Sequence, residues 1–94
     1  MSNVFFVFYI LVHSSIEEIP DQNVTEGKNV TLTCNVSGIP LPMVTWTTSY
    51  GHSTAEKVLV VTNISRNQAG EYKCEASNDC GNAIETAIIT VQCK

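Results

Sequence analysis

Ninety-four residues, 44% of them hydrophobic, allow one small domain with a single core. Five Lys and Arg against nine Asp and Glu give a formal net charge of −4 and a pI near 4.9, and the basic residues are scattered singly. No basic stripe exists to neutralise phosphates, which argues against a nucleic-acid partner and against electrostatic docking on an anionic membrane.

The chain begins with an apolar run, Val4-Phe-Phe-Val-Phe-Tyr-Ile-Leu-Val12, followed by His13-Ser14-Ser15. Nine residues cannot span a bilayer but match the apolar core of a secretory leader. Residues 1–15 are therefore read as a signal peptide, with Val12 and Ser14 as the small residues for cleavage after Ser14. The only positive charge ahead of the run is the amino terminus; the competing reading is a buried first strand or a stretch translated from the wrong start. No other segment could span a membrane, so any anchor lies outside this chain. Four cysteines in so short a chain point to an oxidising compartment. The sequons at Asn23, Asn29, Asn35 and Asn63 agree with that and are candidate N-glycosylation sites.

Residues 16–22 read as the start of an edge strand, where Pro20 is tolerated, and Gly27 marks a turn. Val30, Leu32, Cys34 and Val36 alternate inward, leaving Asn29, Thr31, Thr33 and Asn35 to solvent; this pattern predicts a strand. Gly38-Ile-Pro40-Leu-Pro42 reads as a loop, because its prolines cannot donate to a ladder. Val44 and Trp46 then point inward, with Thr45 and Thr47 outward. Leu59, Val61 and Ile64 fit a further strand and the turn after it.

Gln68-Ala-Gly-Glu-Tyr72-Lys-Cys74-Glu-Ala-Ser-Asn78 carries the clearest alternation in the chain. Tyr72, Cys74 and Ala76 share one face, and Glu71, Lys73, Glu75 and Ser77 the other. Asn78-Asp-Cys80-Gly-Asn82 is a hairpin turn by composition. Ala83 to Val91 is the last strand.

Reactive chemistry is sparse. His13 and His52 form no pair, and Glu17-Glu18 and Glu71/Glu75 read as solvated faces rather than an acid–base dyad. No Cys-x-x-Cys, His-rich cluster, calcium loop or Gly-rich phosphate cradle is present. The sequence gives no catalytic residue, metal ligand or cofactor site, and an enzyme is not expected.

The order Cys34, Trp46, Tyr72-x-Cys74, with Gly-x-Pro-x-Pro ahead of the tryptophan strand, resembles the immunoglobulin superfamily, specifically its I-set type, over residues from about 19 to 92. The resemblance implies an all-β sandwich of two antiparallel sheets. In it Cys34 and Cys74 are disulfide-bonded, Trp46 plugs the core against them, Leu32 lies in that core, and Tyr72 makes a tyrosine corner. Two features depart from the family. Trp46 and Cys74 are only 28 positions apart (46 to 74), so the family's strands C′ and D should be abbreviated or absent. Gln68 stands where an Asp is usual, so a hydrogen bond must replace the usual ion pair. Cys80 and Cys93 would flank the last strand about 40 Å apart, too far to bond to each other. Each is then a free thiol or is bonded beyond the domain. The unmatched Cys93 beside the end of the chain suggests the N-terminal module of a longer protein.

By the same resemblance the function is protein–protein recognition outside the cell, in a secreted or cell-surface adhesion or matrix protein. The alternatives are the ligand-reading module of a signalling receptor, such as a receptor tyrosine kinase, or a stand-alone secreted effector. The implied partners are proteins, this chain itself among them. The candidate ligand loops are Ile39, Pro40 and Leu41 in the loop of 38–43, and Asp79 and Gly81 in the hairpin of 78–82, which lie at one end of such a sandwich.

Overall fold

Alternation sets the architecture. Val30 and Leu32 are buried while Thr31 and Thr33 are exposed, and Tyr72, Cys74 and Ala76 are fully buried between more exposed neighbours. In a pleated strand this puts one face on a core and one in water. The computed structural model describes residues 10–94. Its strands are β1 (Val12–Ile16), β2 (Gln22–Thr25), β3 (Val30–Thr33), β4 (Val36–Ile39), β5 (Met43–Thr47), β6 (Ser53–Thr54), β7 (Val58–Val61), β8 (Gly70–Asn78) and β9 (Gly81–Gln92). One 3₁₀ turn, Arg66–Gln68, precedes β8.

The strands form two layers. One is a five-stranded sheet in the order β2-β9-β8-β5-β6. The other runs β1, then β4 and β3 in line, then β7: β1 pairs with β4, and β3 with β7, both antiparallel. Backbone hydrogen bonds from Glu17 to Asn35 (3.0 Å) and from Cys34 to Lys57 (2.9 Å) carry this second layer across the β3–β4 junction. The inner faces meet around Trp46, Tyr72, Leu32, Ile64, Ile89 and Val30, all buried. The Cys34–Cys74 disulfide joins the layers, with Cα atoms 6.4 Å apart.

Two polar groups inside this core are satisfied in ways the apolar pattern does not announce. The Trp46 indole N–H donates to the carbonyl of Lys57 at 3.0 Å, the same carbonyl that accepts from Cys34 N–H. A buried indole needs such a partner, and this one ties β5 to the start of β7. The Tyr72 hydroxyl donates to the carbonyl of Gln68, four residues upstream, which closes the expected tyrosine corner. Gln68 also accepts the Ser65 backbone N–H through Oε1 at 3.0 Å. The amide thus replaces an ion pair with a hydrogen bond, as its neutral side chain requires.

The short interval between Trp46 and Cys74 has the expected effect. β6 has only two residues, and Ala55–Lys57 lead straight into β7 with no intervening strand.

Other boundaries differ from the sequence reading. Residues 16–22 are not one strand: β1 ends at Ile16 and β2 starts at Gln22. Between them the chain crosses from one layer to the other through Pro20, which cannot donate to either ladder. Gly38 and Ile39 are strand, not loop, because β4 pairs with β1 as far as Val12↔Ile39. Met43 already belongs to β5, so the loop is Pro40–Pro42 alone. Gly81 is the first residue of β9, paired with Asn78, so the hairpin turn is Asp79-Cys80. Most of the apolar leader core, Val4–Tyr9, lies outside the described residues. From Val12 onward the stretch read as leader forms β1, and Ser14 is buried.

Candidate recognition surface

Asn78 organises one end of the sandwich. Its Nδ2 donates to the carbonyl of Val12 at 2.8 Å and to that of Pro40 at 2.9 Å. Its Oδ1 accepts the Cys80 N–H at 3.0 Å, an Asx turn that shapes the hairpin. One side chain thus fixes the start of β1, the Pro40–Pro42 loop and the β8–β9 turn together. A shallow cleft of about 230 Å³ lies between them, lined by Pro40, Leu41, Met43, Ser77, Asn78 and Asp79.

The rim of this cleft is largely apolar. Met43 is 80% exposed and Leu41 68%, and Pro42 is buried beneath them. Asp79 supplies the only formal charge of the lining. Of the loop residues singled out by sequence, the fold brings Pro40, Leu41 and Asp79 into the cleft. Ile39 is exposed on the β1–β4 pair and Gly81 faces His13, its Cα position leaving a Cβ 3.4 Å from His13 Cβ; neither lines the cleft. Asn78 and Met43, which bound the two loop ranges read from the sequence, also line it, but the sequence reading gave neither a role of its own. An amide in the last pair before a hairpin is the available signal for Asn78, since Asn bonds readily to backbone two residues on.

The outer face of the five-stranded sheet carries Ile84 and Ile88, both exposed, beside Thr45, Glu75 and Glu71. Lys73 and Glu75 pair across this face at 3.0 Å, an exposed contact that adds little stability.

All four sequon asparagines are exposed. Asn23 lies on β2, Asn29 just before β3, Asn35 at the β3–β4 junction and Asn63 after β7. Asn35 Nδ2 donates to Glu17 Oε2 at 3.3 Å. Cys80 and Cys93 are exposed and unbonded. Among the described residues no cluster of three or more His, Cys, Asp or Glu could hold a metal, and no helix is long and apolar enough to cross a membrane.

A family model described as "Immunoglobulin domain" matches residues 13–78. The chain belongs to the immunoglobulin-domain family. Among curated relatives, this immunoglobulin domain is 39% identical over 67 residues to limbic system-associated membrane protein of Gallus gallus, covering 67% of this chain and 20% of that protein. It is 31% identical over 84 residues to the vascular endothelial growth factor receptor kdr-like of Danio rerio, covering 81% of this chain and 6% of that one. The domain therefore spans a fifth or less of these relatives. Among solved structures, the complex of Dpr11 IG1 bound to DIP-gamma IG+IG2 aligns with a TM-score of 0.81 at 31% identity, over 88% of this chain and 49% of that one. These relatives include a membrane-associated protein and a receptor, and that structural neighbour is a protein–protein complex.

Proposed function

We propose that this immunoglobulin domain is an extracellular protein-recognition module, the N-terminal unit of a multi-domain cell-adhesion or matrix protein. The observation that carries the reading is the cleft end: through Pro40 and Cys80, both downstream of the leader, Asn78 ties the two loops into one platform that holds Leu41 and Met43 in water. Exposed apolar groups on a fixed frame meet a protein surface at low entropic cost. The reading includes removal of the leader over residues 1–15 and glycans on some of Asn23, Asn29, Asn35 and Asn63.

Expression of the full chain with a C-terminal tag in a secretory cell tests the location. The expected product appears in the medium, starts at Ser15 and loses mass on treatment with an N-glycosidase. A product retained inside the cell with Met1 intact overturns it. Cell-binding assays with the secreted protein then test the platform, since Leu41→Asp with Met43→Asp should abolish binding to any cell type that the parent protein recognises.

The resemblance to the kdr-like receptor supports a second reading, a ligand-binding module of a signalling receptor. The coding sequence downstream separates the two. Repeated similar domains favour adhesion, whereas a membrane span followed by a kinase favours signalling.

A further inference from the structure

Strand β7 has hydrogen-bonded neighbours on one side only. It pairs with β3, and the bond from Cys34 N–H to the Lys57 carbonyl sets the phase of that ladder. In an antiparallel pair, alternate residues turn their backbone groups toward the partner. Lys57, Leu59 and Val61 therefore face β3, while Val58 and Val60 aim their N–H and C=O groups at the free edge. Among the described residues no strand pairs with that edge. The cause is the short interval after Trp46: β6 joins β5 in the other layer, and a groove of about 350 Å³, lined by Tyr50, His52, Thr54 and Glu56, lies beside β7.

The usual protections of a sheet edge are missing. Val58-Leu-Val-Val61 has no proline, no inward charge and no bulge, and Val58 and Val60 are 44% and 55% exposed. Such an edge is a template for an added strand.

We propose that β7 is a dimerisation edge that pairs antiparallel with β7 of a second copy of this chain. The free edge is complementary to itself. Pairing centred on Leu59 sets Val58 opposite Val60 of the second copy, and the reverse. Each edge offers two N–H and two C=O groups, and all are satisfied by four hydrogen bonds. The same two-fold operation packs the exposed valines against one another across the seam, as an isologous interface requires. It also sets Lys57 opposite Val61 of the second copy and Glu56 opposite Thr62, so no like charges face each other. A seam this short buries little area, so the association is weak and concentration-dependent. Asn63 would lie opposite Ala55 of the second copy, so a glycan there would obstruct the seam, and the unglycosylated chain is the form to test.

The experiment uses the full chain, unglycosylated, with the Cys34–Cys74 bridge formed and with Cys80→Ser and Cys93→Ser to exclude disulfide-linked dimers. Sedimentation equilibrium is run from micromolar to millimolar concentration, with amide hydrogen exchange by NMR at both limits. The expected result is a monomer–dimer equilibrium in which the Val58 and Val60 amides become protected as concentration rises, while Leu59 is protected throughout. Val60→Pro should abolish the dimer and leave the monomer folded, because the lost N–H is unbonded in the monomer. Val58→Lys should do the same by placing two charges at the seam, and it serves alone if the proline variant fails to fold. A monomer at millimolar concentration with unchanged Val58 and Val60 exchange overturns the proposal. So does a dimer that survives Val58→Lys, or one whose protection maps to Ile84 and Ile88. Protection of the edge only on addition of an unrelated extended apolar peptide would make the occupant a different chain and also overturn it.

Discussion

The backbone N–H of Asn63 donates to the side-chain oxygen of Asn29 at 3.0 Å, which joins two of the four sequon asparagines directly. Asn63 is the one non-glycine residue with positive φ among those described, at 51°. Asn tolerates this left-handed backbone better than most residues. Asn63→Gly should therefore be close to neutral, whereas Asn63→Ala should cost about 1 kcal/mol. The two urea midpoints measured side by side check this. Equal midpoints would remove the backbone explanation.

Tyr72 links stability to alkaline pH. Burial raises its pKa above the usual 10.0; the Ser49 hydroxyl partly offsets this, and Tyr50 adds to it. The folded state holds its phenol proton to higher pH than the unfolded chain does. The stabilisation is fully present below pH 10 and is lost as pH rises through the folded-state value. Tyr72→Phe should lower stability at neutral pH by about 1 kcal/mol, through loss of the bond to Gln68. It should also flatten the fall in denaturation midpoint above pH 10. A variant with the parent's alkaline slope would show that another group titrates.

The bridge between Cys34 and Cys74 closes a loop with a sequence separation of 40. Chain-entropy reasoning gives such a loop roughly 4 kcal/mol, a large share of the stability available to a domain of this size. Replacing both cysteines by Ala should leave the chain largely unfolded at 37 °C. Far-ultraviolet circular dichroism across a thermal ramp would reveal this.

Cys80 and Cys93 are exposed while Cys34 and Cys74 are fully buried in their bridge. Iodoacetamide under native conditions should add two labels per chain, at Cys80 and Cys93, without changing Trp46 fluorescence. Peptide mapping that placed a label on Cys34 or Cys74 would mean the bridge is not formed.

Much of the fold was legible because it depends on side-chain alternation. The inward positions of Leu32, Trp46 and Tyr72 follow from a period of two, and the pairing of Cys34 with Cys74 follows from the family pattern those residues complete. The short interval between Trp46 and Cys74 likewise foretold the reduced β6. Long-range polar contacts were not legible. Nothing local says that Asn78 reaches Val12 and Pro40, or that Trp46 donates to Lys57, since those partners are far apart in sequence. Strand ends were blurred for a related reason. Ile39 sits in a Gly-Ile-Pro context that reads as loop, and only its pairing with Val12 keeps it in β4. The candidate site was half visible: Pro40, Leu41 and Asp79 were named from their loops, while Met43 and Asn78 lay in those loop ranges with no role assigned, and Met43 is in fact the first residue of β5.

The passage through Pro20 from β1 to β2 has a mechanical consequence. β2 runs parallel to β9, with Gln22 through Thr25 matched to Ile89 through Gln92. The chain enters β2 at one end of this pair and leaves β9 at the other. Tension applied between the two ends of the domain therefore loads the β2–β9 bonds along the strand axis, where they must fail together. Peeling would break them one after another at lower force. A chain of such domains would hold its length under pull until this clamp sheared.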